Sequence, residues 1–189
     1  MSILGKTKDH LSKILAVREN VHGAQNLHVG PGSVIWAPNR LEIGDNVYVG
    51  KHVTIQVDGT IGDEVLFANG SGVVGRLDHD YTSVEHPVRS APWVGLHQEQ
   101  SQPVVIGSDV WVGFNAVVMS GVTIGNSAIV AAGAVVVKDV PENSIVAGSP
   151  ATHIKYRFTA AEFKQHWVSL QSKSVNRLPM PRSLIYLGE

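Results

Sequence analysis

Stepping six residues at a time from Ile43 gives Ile43, Val49, Ile55, Ile61, Phe67 and Val73. Restarting at Ile106 gives Ile106, Val112, Val118, Ile124, Val130 and Val136. Every position is apolar, and all but Phe67 are β-branched, in a chain that is only 43% hydrophobic. The next residue is often small, as at Gly44, Gly50, Gly62, Ala68, Gly107, Gly113, Gly125 and Ala131. The fourth residue after each is small or aliphatic, as at Val47, Val53, Val110, Ala116, Val122, Ala128 and Ala134. A fixed hexapeptide period is the signature of a parallel β-helix. Each unit supplies one short strand and a corner, and three units close one triangular coil. The β-branched residue points to the coil axis, and the small one beside it allows the turn.

The same period disposes of a tempting motif. The stretch "GSGVVG", Gly70 to Gly75, matches the dinucleotide fingerprint G-x-G-x-x-G. That fingerprint works only where it opens a helix onto a pyrophosphate. The residues C-terminal to it, "RLDHDYTSVEHPVRSAPW", have no apolar stripe at helical spacing. Val73 is instead an inward ladder residue, and the glycines serve strand and corner.

The phase also locates the interruptions. Val29 and Ile35 keep the period, and two residues are inserted around "PNR" before Ile43. The phase then holds through Val73 to His79 and returns, shifted by three, at Ile106. This predicts an excursion over residues 80–105 that leaves the helix just after His79. Long loops in compact domains are usually functional or disordered, and this one carries Tyr81, Glu85, His86, Arg89, Trp93 and His97. Residues 29–150 are therefore the expected β-helix domain. Residues 1–28 form an N-terminal segment with a short amphipathic helix over 5–17. Residues 151–189 supply a C-terminal helix and tail. In "TAAEFKQHWVSLQ", Thr159 and Glu162 make a capping box, and Phe163, Trp167 and Leu170 line one face. Such a helix is expected to cover the open end of the coil.

Charge is nearly balanced at −1, with no basic run, which disfavours nucleic acid as a partner. No apolar run approaches the roughly 20 residues of a membrane span. The N-terminus lacks the apolar core of a signal peptide, so a cytoplasmic protein is expected. The absence of cysteine removes thiolate nucleophiles and thiolate-bound zinc.

The segment "VVIGSDVWVGFNAVVMSGVTIGNSAIVAAGAVVVKDVPENSIVAGSPATHIKYRF" resembles the C-terminal half of the hexapeptide-repeat acyltransferases. The branch is that of maltose, galactoside and streptogramin acetyltransferases and the polysaccharide O-acetyltransferases. "LDHDYTS" is similar to the active-site histidine segment of the polysaccharide branch. The resemblance covers roughly residues 29–160. It implies an all-β, left-handed parallel β-helix, assembled as a homotrimer with acetyl-CoA bound between subunits. The hand comes from the resemblance alone, because the general crossover rule gives right-handed connections.

The chemistry then falls on His79, at the family's catalytic position and where the period breaks. An alcohol is a poor nucleophile until deprotonated, and imidazole is suited to take its proton. Asp78 and Asp80 flank the ring, with Asp80 the candidate orienting partner. Neither a cysteine nor a G-x-S-x-G serine is present, so direct transfer in a ternary complex is expected. The resemblance places Trp111, Gly113, Phe114, Ala131, Ala132 and Lys138 along the coenzyme groove. Lys138, Lys155 and Arg157 are candidates for its phosphates. The saccharide acceptor is expected against Tyr81, Glu85, His86, Arg89 and Trp93, and no metal is expected. The alternatives are an amino-sugar N-acetyltransferase, an antibiotic acetyltransferase, a γ-type carbonic anhydrase and a non-catalytic scaffold. The anhydrase needs two histidines five positions apart, which this chain lacks.

Overall fold

A computed structural model of the protein describes residues 12–173 and 178–185. The proposed N-terminal helix over 5–17 lies partly outside these residues; of its described part, 12–16 is helical and Val17 forms a parallel bridge to Ile35. Residues 174–177 and 186–189 of the expected tail also lie outside them.

The hexapeptide units form the three faces of a β-solenoid. The first face holds Val21–Gly23, Leu41–Ile43, Gly59–Ile61, Val104–Ile106 and Thr123–Ile124. The second holds His28–Val29, Tyr48–Val49, Leu66–Phe67, Trp111–Val112, Ile129–Val130 and Ser144–Ala147. The third holds Val34–Trp36, Thr54–Gln56, Gly72–Val74, Val117–Met119 and Val135–Val136. All of these strands pair in parallel, and Thr152–Tyr156 alone joins antiparallel, against Ser144–Ala147. The ladder of inward residues is the core. All twelve positions of the two six-residue series are buried, as are Val29 and Ile35.

The corners show why the chain turns where it does. Asn26, Asn46, Glu64, Asp109, Ser127 and Asn143 stack in one column with φ between 56° and 59°. Short polar side chains visit this left-handed region more readily than other residues, because they can hydrogen-bond locally. Beside this column, each side chain caps the backbone of the coil before. Asp45 accepts from the Gln25 N–H, Asp63 from Asp45, Ser108 from Asp63 and Asn126 from Ser108. Partners in this chain of caps are 20 residues apart at the first coil and 18 at the next. The two extra residues fall between Trp36 and Leu41, at the "PNR" insertion.

The excursion leaves earlier than the periodicity suggests. Val104–Ile106 pairs with Gly59–Ile61, filling the position that residues 77–79 would take in an unbroken register. The loop is therefore 75–103 rather than 80–105. The reason is chemical: "LDHD" offers an imidazole where the axis demands an apolar side chain, and Ile106 supplies one that is 1% exposed. Gly70 turns a corner at φ 71° and Gly72 starts a strand, so no phosphate-binding helix opens there.

The C-terminal helix α1 (Ala160–Lys173) begins with the expected capping box. Thr159 N–H donates to Glu162 Oε2 at 2.8 Å, and Glu162 N–H donates to Thr159 Oγ1 at 3.3 Å. The hydrogen bonds that Thr159 donates hold the Glu162 carboxyl below its usual range. Phe163 and Trp167 are buried with Leu178 and Leu184 in a cluster separate from the solenoid axis. The helix docks on the corner column: His166 Nε2 lies 2.7 Å from Asp109 Oδ2, and Arg157 Nη1 donates to the same oxygen at 2.8 Å. Among the described residues, no helix is long and apolar enough to cross a membrane.

Candidate active site

The excursion is ordered by its own backbone. Asp80 N–H donates to Pro92 O and Val94 N–H to Asp78 O, each at 2.9 Å, which makes His79 and Trp93 an antiparallel bridge. Ala91 and Val94, on the Trp93 side of the bridge in sequence, are buried. The His79 side chain thus sits on a braced two-stranded root rather than on a free loop.

His79 faces a cleft of about 460 Å³ lined also by His86, Arg89, Pro92, Trp93 and His97. Three of the five residues expected at the acceptor, His86, Arg89 and Trp93, meet there. Tyr81 and Glu85 do not line it. The Asp80 carboxylate accepts from the Thr82 N–H (3.0 Å) and Oγ1–H (2.6 Å), and this tight turn leaves Tyr81 and Glu85 exposed. Those two hydrogen bonds hold the Asp80 carboxyl below its usual range.

Asp80 consequently does not orient the ring as expected. His79 Nδ1 is buried and has no hydrogen-bond partner among the described residues. Asp78 is the carboxylate that senses the imidazole. Burial pushes its carboxyl up, and the charge of His79 pulls it back down. One Asp78 oxygen packs so closely on Gly75 that a Cβ there would collide with it.

A desolvated carboxylate of this kind has a folded-state value above its unfolded one. It therefore costs stability as pH rises from the ordinary carboxylate range through the folded value. Asp78→Asn is expected to raise Tm at pH 7, on the order of 1–2 °C because solvent screens a half-exposed group. The gain should vanish near pH 4. Thermal unfolding at the two pH values checks this, and a gain that persists at pH 4 would refute it.

The other predicted residues occupy a different edge of the solenoid. Trp111 (48% exposed) and Phe114 (55% exposed) stand on one coil, with Ala131 and Ala132 on the next. Gly113 lies between them: a Cβ there would sit 2.6 Å from Ala132 N and 2.7 Å from Val130 O. The result is a bare backbone strip flanked by two exposed aromatics. None of these residues lines the His79 cleft. Lys138 and Lys155 are exposed. Arg157 is not free for a phosphate as expected. It is committed to Asp109 and lies 4.6 Å from the Phe158 ring centroid.

A second cavity, of about 430 Å³, adjoins the root of the excursion. Trp36 and Gln56, successive outward residues of the third face, form its floor with Arg18 and Glu19 from the N-terminal segment. Asp78, Trp93, Val94 and Gly95 close it. Sequence reading missed the floor because its residues come from separate coils, although an outward Trp36 on a six-residue ladder was a usable signal.

Comparison with known proteins agrees with this architecture. Residues 103–138 match the sequence profile "Bacterial transferase hexapeptide (six repeats)". The chain is 39% identical over 124 residues to nodulation protein L of Rhizobium meliloti, spanning 65% of this chain and 67% of that protein. It is 30% identical over 128 residues to galactoside O-acetyltransferase of Escherichia coli, spanning 67% and 62% respectively. The chain thus spans about two thirds of the length of these relatives. A hexapeptide-repeat acetyltransferase of Vibrio cholerae, solved with acetyl coenzyme A, superposes with a TM-score of 0.57 at 26% identity. That match covers 84% of this chain and 81% of the other. From its six-residue ladder, its parallel coils and these relatives, the chain belongs to the hexapeptide-repeat transferase family.

Proposed function

We propose that the protein is an acetyl-CoA-dependent O-acetyltransferase that acylates a saccharide hydroxyl, with His79 as general base. The observation that carries this is the placement of His79: one ring nitrogen is buried, and the ring borders a cleft walled by residues of the excursion, with His86, Arg89 and His97 among its lining. His79 Nε2 takes the proton of the acceptor hydroxyl as its oxygen attacks the thioester carbonyl. The new C–O bond forms a tetrahedral intermediate, the C–S bond breaks, and the imidazolium returns the proton to the departing sulfur. The products are the acetyl ester and free coenzyme A. A backbone N–H facing His79 would stabilise the oxyanion.

Acetyl coenzyme A would lie along the strip formed by Trp111, Gly113, Phe114, Ala131 and Ala132, with Lys138 and Lys155 toward its phosphates. That strip and His79 stand on different edges of one chain, which favours a homotrimer with each site between subunits. An uncovered apolar row supports self-association. Tyr48, Leu66, Trp111 and Ile129 succeed one another in register on the second face, the first three 40–48% exposed. Contiguous exposed apolar surface commonly marks an interface. The enzyme would work in the cytoplasm, and the likeness to a galactoside O-acetyltransferase supports a saccharide or polysaccharide precursor as acceptor.

Release of free thiol from acetyl-CoA against a panel of saccharides tests this reading. The expected result is release that requires both protein and acceptor. Failure to bind coenzyme A would refute it and bring a non-catalytic solenoid forward.

A further inference from the structure

Two cavities of similar size, about 430 and 460 Å³, share Trp93 as their common wall. Each is large enough for a small molecule, yet only one contains His79. Because successive residues of an extended segment point to opposite sides, His79 faces one cavity while Asp78 faces the other. The Trp93 indole is seated firmly: its ring folds onto Gly95, where a Cβ would collide with it.

The cavity away from His79 has a particular chemistry. The Trp36 and Trp93 ring centroids are 6.4 Å apart with planes at 57°, which makes an aromatic corner. Around that corner stand the Glu19 and Asp78 carboxylates, the Gln56 amide and the Arg18 guanidinium. Aromatic faces suit the C–H face of a pyranose ring, and the polar groups suit its rim of hydroxyls. An anionic ligand fits poorly, because two carboxylates oppose the single arginine. A purely apolar one would leave four polar groups unsatisfied.

Resting on the reading that the His79 cleft receives the acceptor hydroxyl, we infer that the Trp36–Trp93 cavity is a second saccharide subsite. The acceptor is then an oligosaccharide. Its acetylated residue lies at His79, and the adjoining residue packs on Trp36, with the glycosidic link passing Trp93.

The test uses the full chain with acetyl-CoA and paired acceptors: glucose with maltose and maltotriose, and galactose with lactose. Wild-type kcat/KM is expected to rise about tenfold or more from mono- to disaccharide, mainly through KM. Trp36→Ala should bring that ratio close to one. Glu19→Gln, which preserves shape, should lower it part of the way and guards against a folding defect in the tryptophan variant. Equal kcat/KM across the wild-type series overturns the inference, as does a loss in Trp36→Ala that is the same for mono- and disaccharide. Calorimetric titration with maltose and lactose separates the two readings. Binding that is lost in Trp36→Ala, with no thiol release from any acceptor, keeps the subsite and refutes acyl transfer. Neither binding nor a chain-length gain overturns the subsite.

Discussion

His79→Ala is expected to lower acceptor-dependent thiol release by about 10²–10⁴-fold, the usual contribution of a positioned general base. The loss should appear in kcat, because in the proposed mechanism the side chain acts on the proton that moves in the transition state and does not touch the coenzyme. The fold should not suffer. His79 is only partly buried, Nδ1 has no partner to orphan among the described residues, and the bridge to Trp93 is made by backbone. Equal thermal unfolding of variant and wild type would establish that. Asp80→Asn is the informative companion. Its carboxylate is occupied by Thr82, so it should change the rate far less than His79→Ala. A His79→Ala variant that retains its rate removes the base from this mechanism. An Asp80→Asn loss as large as that of His79→Ala would mean the loop rearranges on binding to bring Asp80 to the ring.

The solenoid was legible because its physics is local and repeated. Each coil needs an apolar residue at the axis and a small or polar one at the corner, so Ile43 and Val136 obey the same rule. The excursion boundary was misread because His79 falls in phase with the ladder by position alone. Only the strand pairing shows that Val104–Ile106 displaces it. Arg157 and Asp80 were misjudged for a related reason. Their partners, Asp109 and Thr82, are ordinary polar residues with nothing in their spacing to announce a pair. The residues of the second cavity, Arg18, Glu19, Trp36 and Gln56, come from separate coils and carry no motif. Corner chemistry was only half visible. Glycine supplies close approach at Gly113, whereas the left-handed column is built from asparagine, aspartate, serine and glutamate.

Phe67→Ala is the substitution expected to damage the fold most, by about 3–5 kcal/mol, as for buried aromatic truncations in general. Phe67 is fully buried on the axis, pairs with Val49 on one side and Val112 on the other, and is the only aromatic in the ladder. No residue from a distant part of the chain can refill the gap, because each coil touches only its neighbours. The cavity should therefore persist rather than collapse. Phe67→Leu, which keeps most of the volume, should cost far less, below about 1.5 kcal/mol. On the same strand, Leu66 points outward and is 40% exposed, so Leu66→Ser should stay within about 0.5 kcal/mol in the isolated chain. Denaturant midpoints at constant m would measure all three. Position also matters for function. Phe67 lies in the last coil before the excursion, and its partner Val112 lies in the first coil after it, so the cavity opens at the seam that anchors the loop root. Amide exchange in Phe67→Ala should accelerate first around Val104–Val112 and in the His79–Trp93 bridge, while the coils near Val136 keep their protection. Uniform loss of protection along the whole solenoid would contradict the nearest-neighbour account. A cost below about 1 kcal/mol would show that the axis is not packed as tightly as its burial indicates.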